Sequence, residues 1–227
     1  MELLNEDRQR ELLAQPESGM GYQSVEVTLR NGESRHGTVF NTEYLIYSGE
    51  SLDRLDAIRE PSRRSQMLER NEVGFGEEIV EITVLPSHVP SDSRVRESAG
   101  GDADSSSSGA SEAFPEALNK KEQFKRFSPF PNDRRVTPTR ALLPGTYTTT
   151  AEDAKQVHSG RDAVRRYTLP NPVPAVNVFT IDPPAPGTML QRGIAQPAYG
   201  QPGGGVEVIF MNGSPDKTVT GPKQIRP

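Results

Sequence analysis

The stretch SVEVTLRNGESRHGTVF, Ser24 to Phe40, decides the fold class. Val25, Val27 and Leu29 alternate with polar residues, a period of two that lines one face of a strand with apolar side chains. Asn31-Gly32 then interrupts the pattern, and both residue types tolerate positive φ, so the reading is an antiparallel hairpin closed by a tight turn. On its N-terminal side, Leu3, Leu4, Leu12 and Leu13 among acids and arginines predict a short amphipathic helix that stops before Pro16. On its C-terminal side, NTEYLIY (Asn41–Tyr47) and EEIVEITVLP (Glu77–Pro86) read as further strands, separated by a polar helical stretch from Ser51 to Asn71. Residues 1–90 are thus expected to form a small β domain with helices, serving as an adaptor or accessory module.

From residue 91 to 122 the composition changes to Ser, Gly, Ala and Asp with almost no large apolar side chain. Such a segment cannot bury enough surface to offset its conformational entropy, so a disordered linker is expected there. Residues 123–227 then read as a second, compact, β-rich domain. Its many prolines rule out long helices except in TTAEDAKQVHSGRDAVRRY (Thr149–Tyr167), where Thr150 precedes two acids as a cap and Gly160 divides the segment. TYTT, AVNVFTI and VEVIF supply strands. The fold class is α+β, mostly β.

The chain has 227 residues, of which 33% are hydrophobic, and its 20 glycines and 20 prolines point to modest cores joined by irregular segments. A net charge of −5 argues against a nucleic-acid binder, which needs a surplus of Lys and Arg on one face. The absence of cysteine removes disulfides, thiol nucleophiles and thiolate metal sites. His36 and His158 have no second ligand at metal spacing, so no metal is expected. The N-terminus lacks the apolar run of a signal peptide, and no stretch is long enough for membrane insertion. A soluble protein is expected, cytoplasmic or exported by a dedicated secretion system.

One further stretch carries the candidate chemistry. AYGQPGGGVEVIFMNG (Ala198–Gly213) sets almost side-chain-free backbone beside an alternating strand that begins with a carboxylate, Glu207. The bland reading is a Pro-Gly turn followed by a solvated acid. The sharper one is close approach of a ligand to the glycines, with Glu207 acting on it.

DRRVTPTRALLPGTY, RRYTLPNPVPAVNVFTIDPP and GTMLQRGIAQPAYGQPGGGVEVIF, taken in order and spacing, resemble the catalytic domain of the tuberculosis necrotizing toxin family of NAD glycohydrolases. The likeness covers about Asp133 to Phe210 and is strongest at the Gly-Gln-Pro-Gly-Gly-Gly-x-Glu run. It implies a fold like that of the ADP-ribosyltransferases and NADases, with NAD+ or NADP+ as substrate. It also implies Arg134 and Arg166 as phosphate or ribose contacts, with Arg135 and Arg165 as the adjacent registers. Gln201, Gly203, Gly204 and Gly205 would line the cleft, Tyr199 or Phe179 would stack on a ring, and Glu207 would face the ribose. Glu207 stands where the family pattern has Gln, as in the related ADP-ribosyltransferases, so transfer of ADP-ribose to a macromolecule is the alternative product. Asn177 stands where some members have His; an amide cannot titrate, which leaves a binding protein without turnover as the third reading. The resemblance further implies a toxin or effector with an immunity protein or a secretion or carrier partner.

Overall fold

A computed structural model of the chain describes residues 1–52, 55, 65–67, 69, 70, 73–76, 78–85, 114, 115, 122–170 and 173–227. These residues form two antiparallel sheets with few helices, the mostly β architecture expected from the alternating patterns. The expected linker and the expected polar helical stretch fall largely outside the described residues.

The first sheet has the order β1-β4-β3-β2-β5, built from β1 (Glu2–Leu3), β2 (Tyr22–Leu29), β3 (Ser34–Phe40), β4 (Tyr44–Tyr47) and β5 (Ile79–Val84). The central hairpin is in the expected place, but its turn differs. Only Gly32 takes positive φ, at 83°, and its N–H donates to Leu29 O at 2.9 Å. Asn31 instead accepts from the Glu33 N–H through its side-chain oxygen at 2.9 Å, an Asx-type turn that needs no left-handed asparagine. Helix α1 (Glu6–Leu13) is capped by Asn5, whose side chain accepts from the Arg8 N–H. Leu3, expected in that helix, pairs with Tyr44 in β1 instead. Leu4, Leu12, Val25, Val27, Val39, Leu45 and Ile79 form the core beneath this sheet.

The second sheet has the order β12-β9-β7-β8-β11-β10-β6. Its members are β6 (Phe114–Pro115), β7 (Phe124–Ser128), β8 (Thr146–Thr150), β9 (Asn177–Ile181), β10 (Met189–Ile194), β11 (Val206–Phe210) and β12 (Val219–Gln224). The strict period of two sorts its side chains. Phe124, Phe179, Ile181, Leu190, Val208 and Phe210 pack together on one face. Phe127 and Tyr147 face the other way and are covered by Ala163, Val164, Tyr167 and Leu169 from helix α2 (Gly160–Arg166) and the residues after it. The expected helical segment is indeed divided: a 3-10 turn spans Asp153–Gln156, and α2 starts beyond Ser159, whose side chain accepts from the Asp162 N–H.

The two sheets share buried groups. Phe130 and Val173 join a cluster with Met1, Phe40, Tyr44 and Ile46, while Met20 lies against Phe127 and Tyr147. The arm after α1 goes further. The register between β7 and β8 covers only two residue pairs, Phe124 with Thr150 and Lys125 with Thr149. Where it stops, side chains take over: the Tyr147 N–H donates to Glu17 at 2.9 Å and the Tyr147 carbonyl accepts from Arg126 at 2.8 Å.

Candidate active site

Glu207 is the second residue of β11, opposite Gly193 of β10 and on the sheet face that carries Tyr147 and Ile209. The carboxyl is half-buried and has no hydrogen-bond or ion-pair partner among the described residues. Burial pushes it up to about 7 from an ordinary value of 4.5, because the charged form loses its hydration. An acid that changes charge near neutrality has the property that general acid–base work requires.

The connection from β10 to β11 explains the glycine run. The Gly203 N–H donates to Arg165 O at 3.1 Å, Gly204 to Ala195 O at 2.8 Å, and Gly205 to Arg166 O at 3.0 Å. A Cβ at Gly205 would lie 2.5 Å from the Tyr167 ring, and one at Gly203 would lie 2.4 Å from the Ala195 carbonyl oxygen. Bare backbone is needed here because the chain packs against itself. All three glycine N–H groups of the expected cleft are already engaged: those of Gly203 and Gly205 lash the start of β11 to the end of α2, and that of Gly204 holds the residue after β10.

Arg166 belongs to the same knot. Its guanidinium reaches Asp153 through Nε at 2.9 Å and Nη2 at 2.5 Å. The Asp153 carboxylate also accepts from the Tyr167 hydroxyl at 2.9 Å, from Thr149 at 3.3 Å and from the Val206 backbone N–H. Burial alone would raise this carboxyl; the bonds from Arg166 and Tyr167 outweigh it and hold it below its ordinary value. Val206 adjoins Glu207, so this hub fixes where the candidate acid sits.

The remaining expected residues are spread more widely. Tyr199 sits at φ +52° in a tight loop where Ala198 and Gln201 exchange backbone hydrogen bonds, and it is 41% exposed. Gln201 is half-buried in the same loop, and its side chain forms no hydrogen bond among the described residues. Arg134 is engaged elsewhere: Nη1 donates to Glu43 at 3.1 Å and its backbone N–H to Asn41 at 3.0 Å, tying it to the first sheet. Of the adjacent registers, Arg135 is buried against the carbonyls of Leu13, Gln15 and Pro144, whereas Arg165 is exposed. Phe179, expected to stack on a ligand ring, is a core residue 2% exposed on the opposite face of the sheet from Glu207. Asn177 is buried, and its amide donates to the carbonyls of Ser128 at 3.3 Å and Pro129 at 3.0 Å, a structural role.

Sequence reading missed Tyr22. This residue of the first sheet meets Tyr199 edge-on, with ring centroids 5.8 Å apart and planes at 88°. Burial raises its hydroxyl well above the ordinary value, with further contributions from Tyr199 and the charge of Glu207. No signal in the sequence links Tyr22 to Glu207, since the alternation of β2 assigns Tyr22 only to a strand. Asp153 was legible as one of the two acids following the Thr150 cap but not as the hub it forms.

Among the described residues, no helix is long and apolar enough to cross a membrane. Compared with known proteins, the chain matches no family model, no curated protein sequence and no solved structure.

Proposed function

We propose that the protein is an NAD(P)+ glycohydrolase whose reacting acid is Glu207. The observation that carries this reading is a half-buried carboxyl without a counter-charge, held near a pKa of 7 at the start of a central strand. Breaking the nicotinamide N-glycosidic bond releases neutral nicotinamide and leaves positive charge on the ribose, an oxocarbenium-like state. A desolvated carboxylate beside that ribose stabilises the cation more than it stabilises the substrate. Water adds at the anomeric carbon and loses a proton, giving ADP-ribose. Arg166 and Gln201 flank the loop that leads into β11, Tyr199 offers an exposed ring for stacking, and the ADP-ribosyltransferase-like fold of the second sheet is part of the same proposal. A toxin or effector role, with an immunity or secretion partner, follows from the resemblance.

The test incubates purified full-length protein with NAD+ and follows nicotinamide by chromatography. Release is expected to rise with pH through about 7, as Glu207 loses its proton, and to fall by about 100-fold or more in Glu207→Ala. No release above the Glu207→Ala background overturns the enzyme reading. Label from NAD+ carried into macromolecules marks transfer instead of hydrolysis.

A second reading, ligand binding without turnover, has its own supporting observation. Asn177, which stands where some members of the resembled family have a titrating His, is buried with its amide committed to the carbonyls of Ser128 and Pro129. Calorimetry that detects NAD+ binding with no consumption of NAD+ selects it.

A further inference from the structure

A pocket of about 350 Å³ opens where the two sheets meet. That is the size of a site that takes a small molecule. Its walls come from both halves of the chain: Pro16 of the arm with Val84 and Leu85 at the end of β5, and Tyr147, Ile209 and Met211 from the second sheet unit. These walls are pinned in place. Gly145, at φ +73°, is bare, and a Cβ there would lie 2.5 Å from Pro16 Cβ. The arm closes on that position, with the Glu17 N–H donating to Gly145 O at 3.2 Å. Leu85 is held by both of its backbone groups: its N–H donates to Ser24 O at 2.8 Å, and its carbonyl accepts from the Ser18 hydroxyl at 3.1 Å.

The lining decides what fits. Among the described residues that line the pocket, Glu17 is the only charged one, and its carboxylate is fully engaged. Oε1 accepts from the Gly21 N–H and from Arg126, and Oε2 accepts from the Tyr147 N–H and from Arg126. A charged ligand would therefore give up its hydration without gaining a counter-ion. The hydrogen-bonding group on offer is the side-chain amide of Gln191, which pairs with Ile209 across the β10–β11 ladder and has no side-chain partner among the described residues. Gln15, an exposed residue of the arm, adds a second amide. The Met211 side chain, 40% exposed, presents a thioether of the kind that packs well against an aromatic ring.

We propose that this junction pocket is a binding site for a small, uncharged aromatic molecule with one hydrogen-bonding edge, its ring packed on Ile209 and Met211 and its edge at the Gln191 amide. Such a ligand touches both halves of the chain at once. The proposal is separate from the reading of Glu207 as a reacting acid, and no part of it needs NAD+.

Indole is the probe. Full-length protein labelled at the methionine methyl carbons is titrated with indole and followed by NMR, with the Met211 signal assigned by its loss in Met211→Leu. A saturable ring-current shift of that signal is expected, with half-saturation at about 1 mM or below. Indole-3-carboxylate and tryptamine keep the ring and add a charge, and each is expected to bind about 10-fold more weakly or worse. Gln191→Leu is expected to weaken indole by about 5- to 10-fold and to leave 1-methylindole, which lacks the N–H, within about 2-fold of wild type. Ile209→Trp fills the pocket and is expected to abolish the shift; should it fail to fold, Leu85→Trp takes its place. The proposal is overturned by the absence of a saturable shift up to about 10 mM indole, by charged derivatives that bind as well as indole, by a Gln191→Leu affinity equal to wild type, or by binding that survives the filled pocket. Cleavage of NAD+ is read in its own assay, so either result stands without the other.

Discussion

A carboxyl whose pKa is higher in the folded than in the unfolded state binds its proton more tightly when native, so folding becomes less favourable as pH rises between the two values. For Glu207 that window runs from about 4.5 to about 7. At pH 8 the charged acid therefore weakens the fold, on the order of 2 kcal/mol once partial exposure is discounted. Glu207→Gln removes the charge and keeps the shape. Urea denaturation is expected to find this variant more stable than wild type at pH 8 and unchanged at pH 4, and equal stability at pH 8 refutes the raised pKa. Stability given up at a single acid is the pattern expected of a functional group. The sequence made Glu207 a candidate because it follows the glycines. What it withheld was the environment, since how far an acid is desolvated is set by the fold around it and not by its neighbours in the chain.

At the scale of the element, Asp153 does what no single strand could. Its carboxylate gathers β8 through Thr149, the end of α2 through Arg166 and Tyr167, and β11 through the Val206 N–H. The charged form makes all of these bonds, so the carboxyl is depressed, and the stability it contributes is complete above its unfolded value of about 3.8 and lost as pH falls through the folded value. Asp153→Asn is expected to lower stability by about 2–3 kcal/mol at pH 7 and by progressively less toward pH 3, measured by denaturant titration at each pH. A loss that does not change with pH would mean that packing, not charge, holds the knot.

The elements themselves were legible wherever apolar alternation or a cap was local. The hairpin, β8, β9, β11 and the division of the helical segment all follow from such signals. β7 was not, because FKRFS hides a buried arginine at the position where alternation demands an apolar residue. β12 was hidden by the Gly-Pro that interrupts its pairing with β9 between Thr220 and Lys223.

That buried arginine governs the whole molecule. Arg126 is 1% exposed, and its five N–H groups make five hydrogen bonds: two to Asp133, two to Glu17 and one to the Tyr147 carbonyl. Burial opposes its charge, and Asp133 and Glu17 together outweigh that, holding its pKa above the ordinary value. One of these carboxylates comes from the second half of the chain and the other from the arm after α1, 109 residues away. Removing one partner of a buried pair leaves a desolvated charge half-compensated, which costs about 3–5 kcal/mol. Glu17→Ala is therefore expected to lower the denaturant midpoint far more than an exposed substitution such as Glu11→Ala, which cuts only a surface pair.

The same contacts bear on whether residues 122–227 fold alone. Without the arm, Arg126 keeps only Asp133 and the Tyr147 carbonyl, Arg135 loses the carbonyls of Leu13 and Gln15, and the Met20 side chain leaves the core around Phe127 and Tyr147. Expressed alone, residues 122–227 are expected to show weak tertiary structure by near-ultraviolet circular dichroism. Co-expressed with residues 1–90 as a separate chain, they are expected to recover it and to elute with that chain as one species in size-exclusion chromatography. If residues 122–227 fold independently with full stability, the buried Glu17–Arg126 pair is an ornament of the fold; if the two pieces restore each other, the halves are one structural unit built around a single guanidinium.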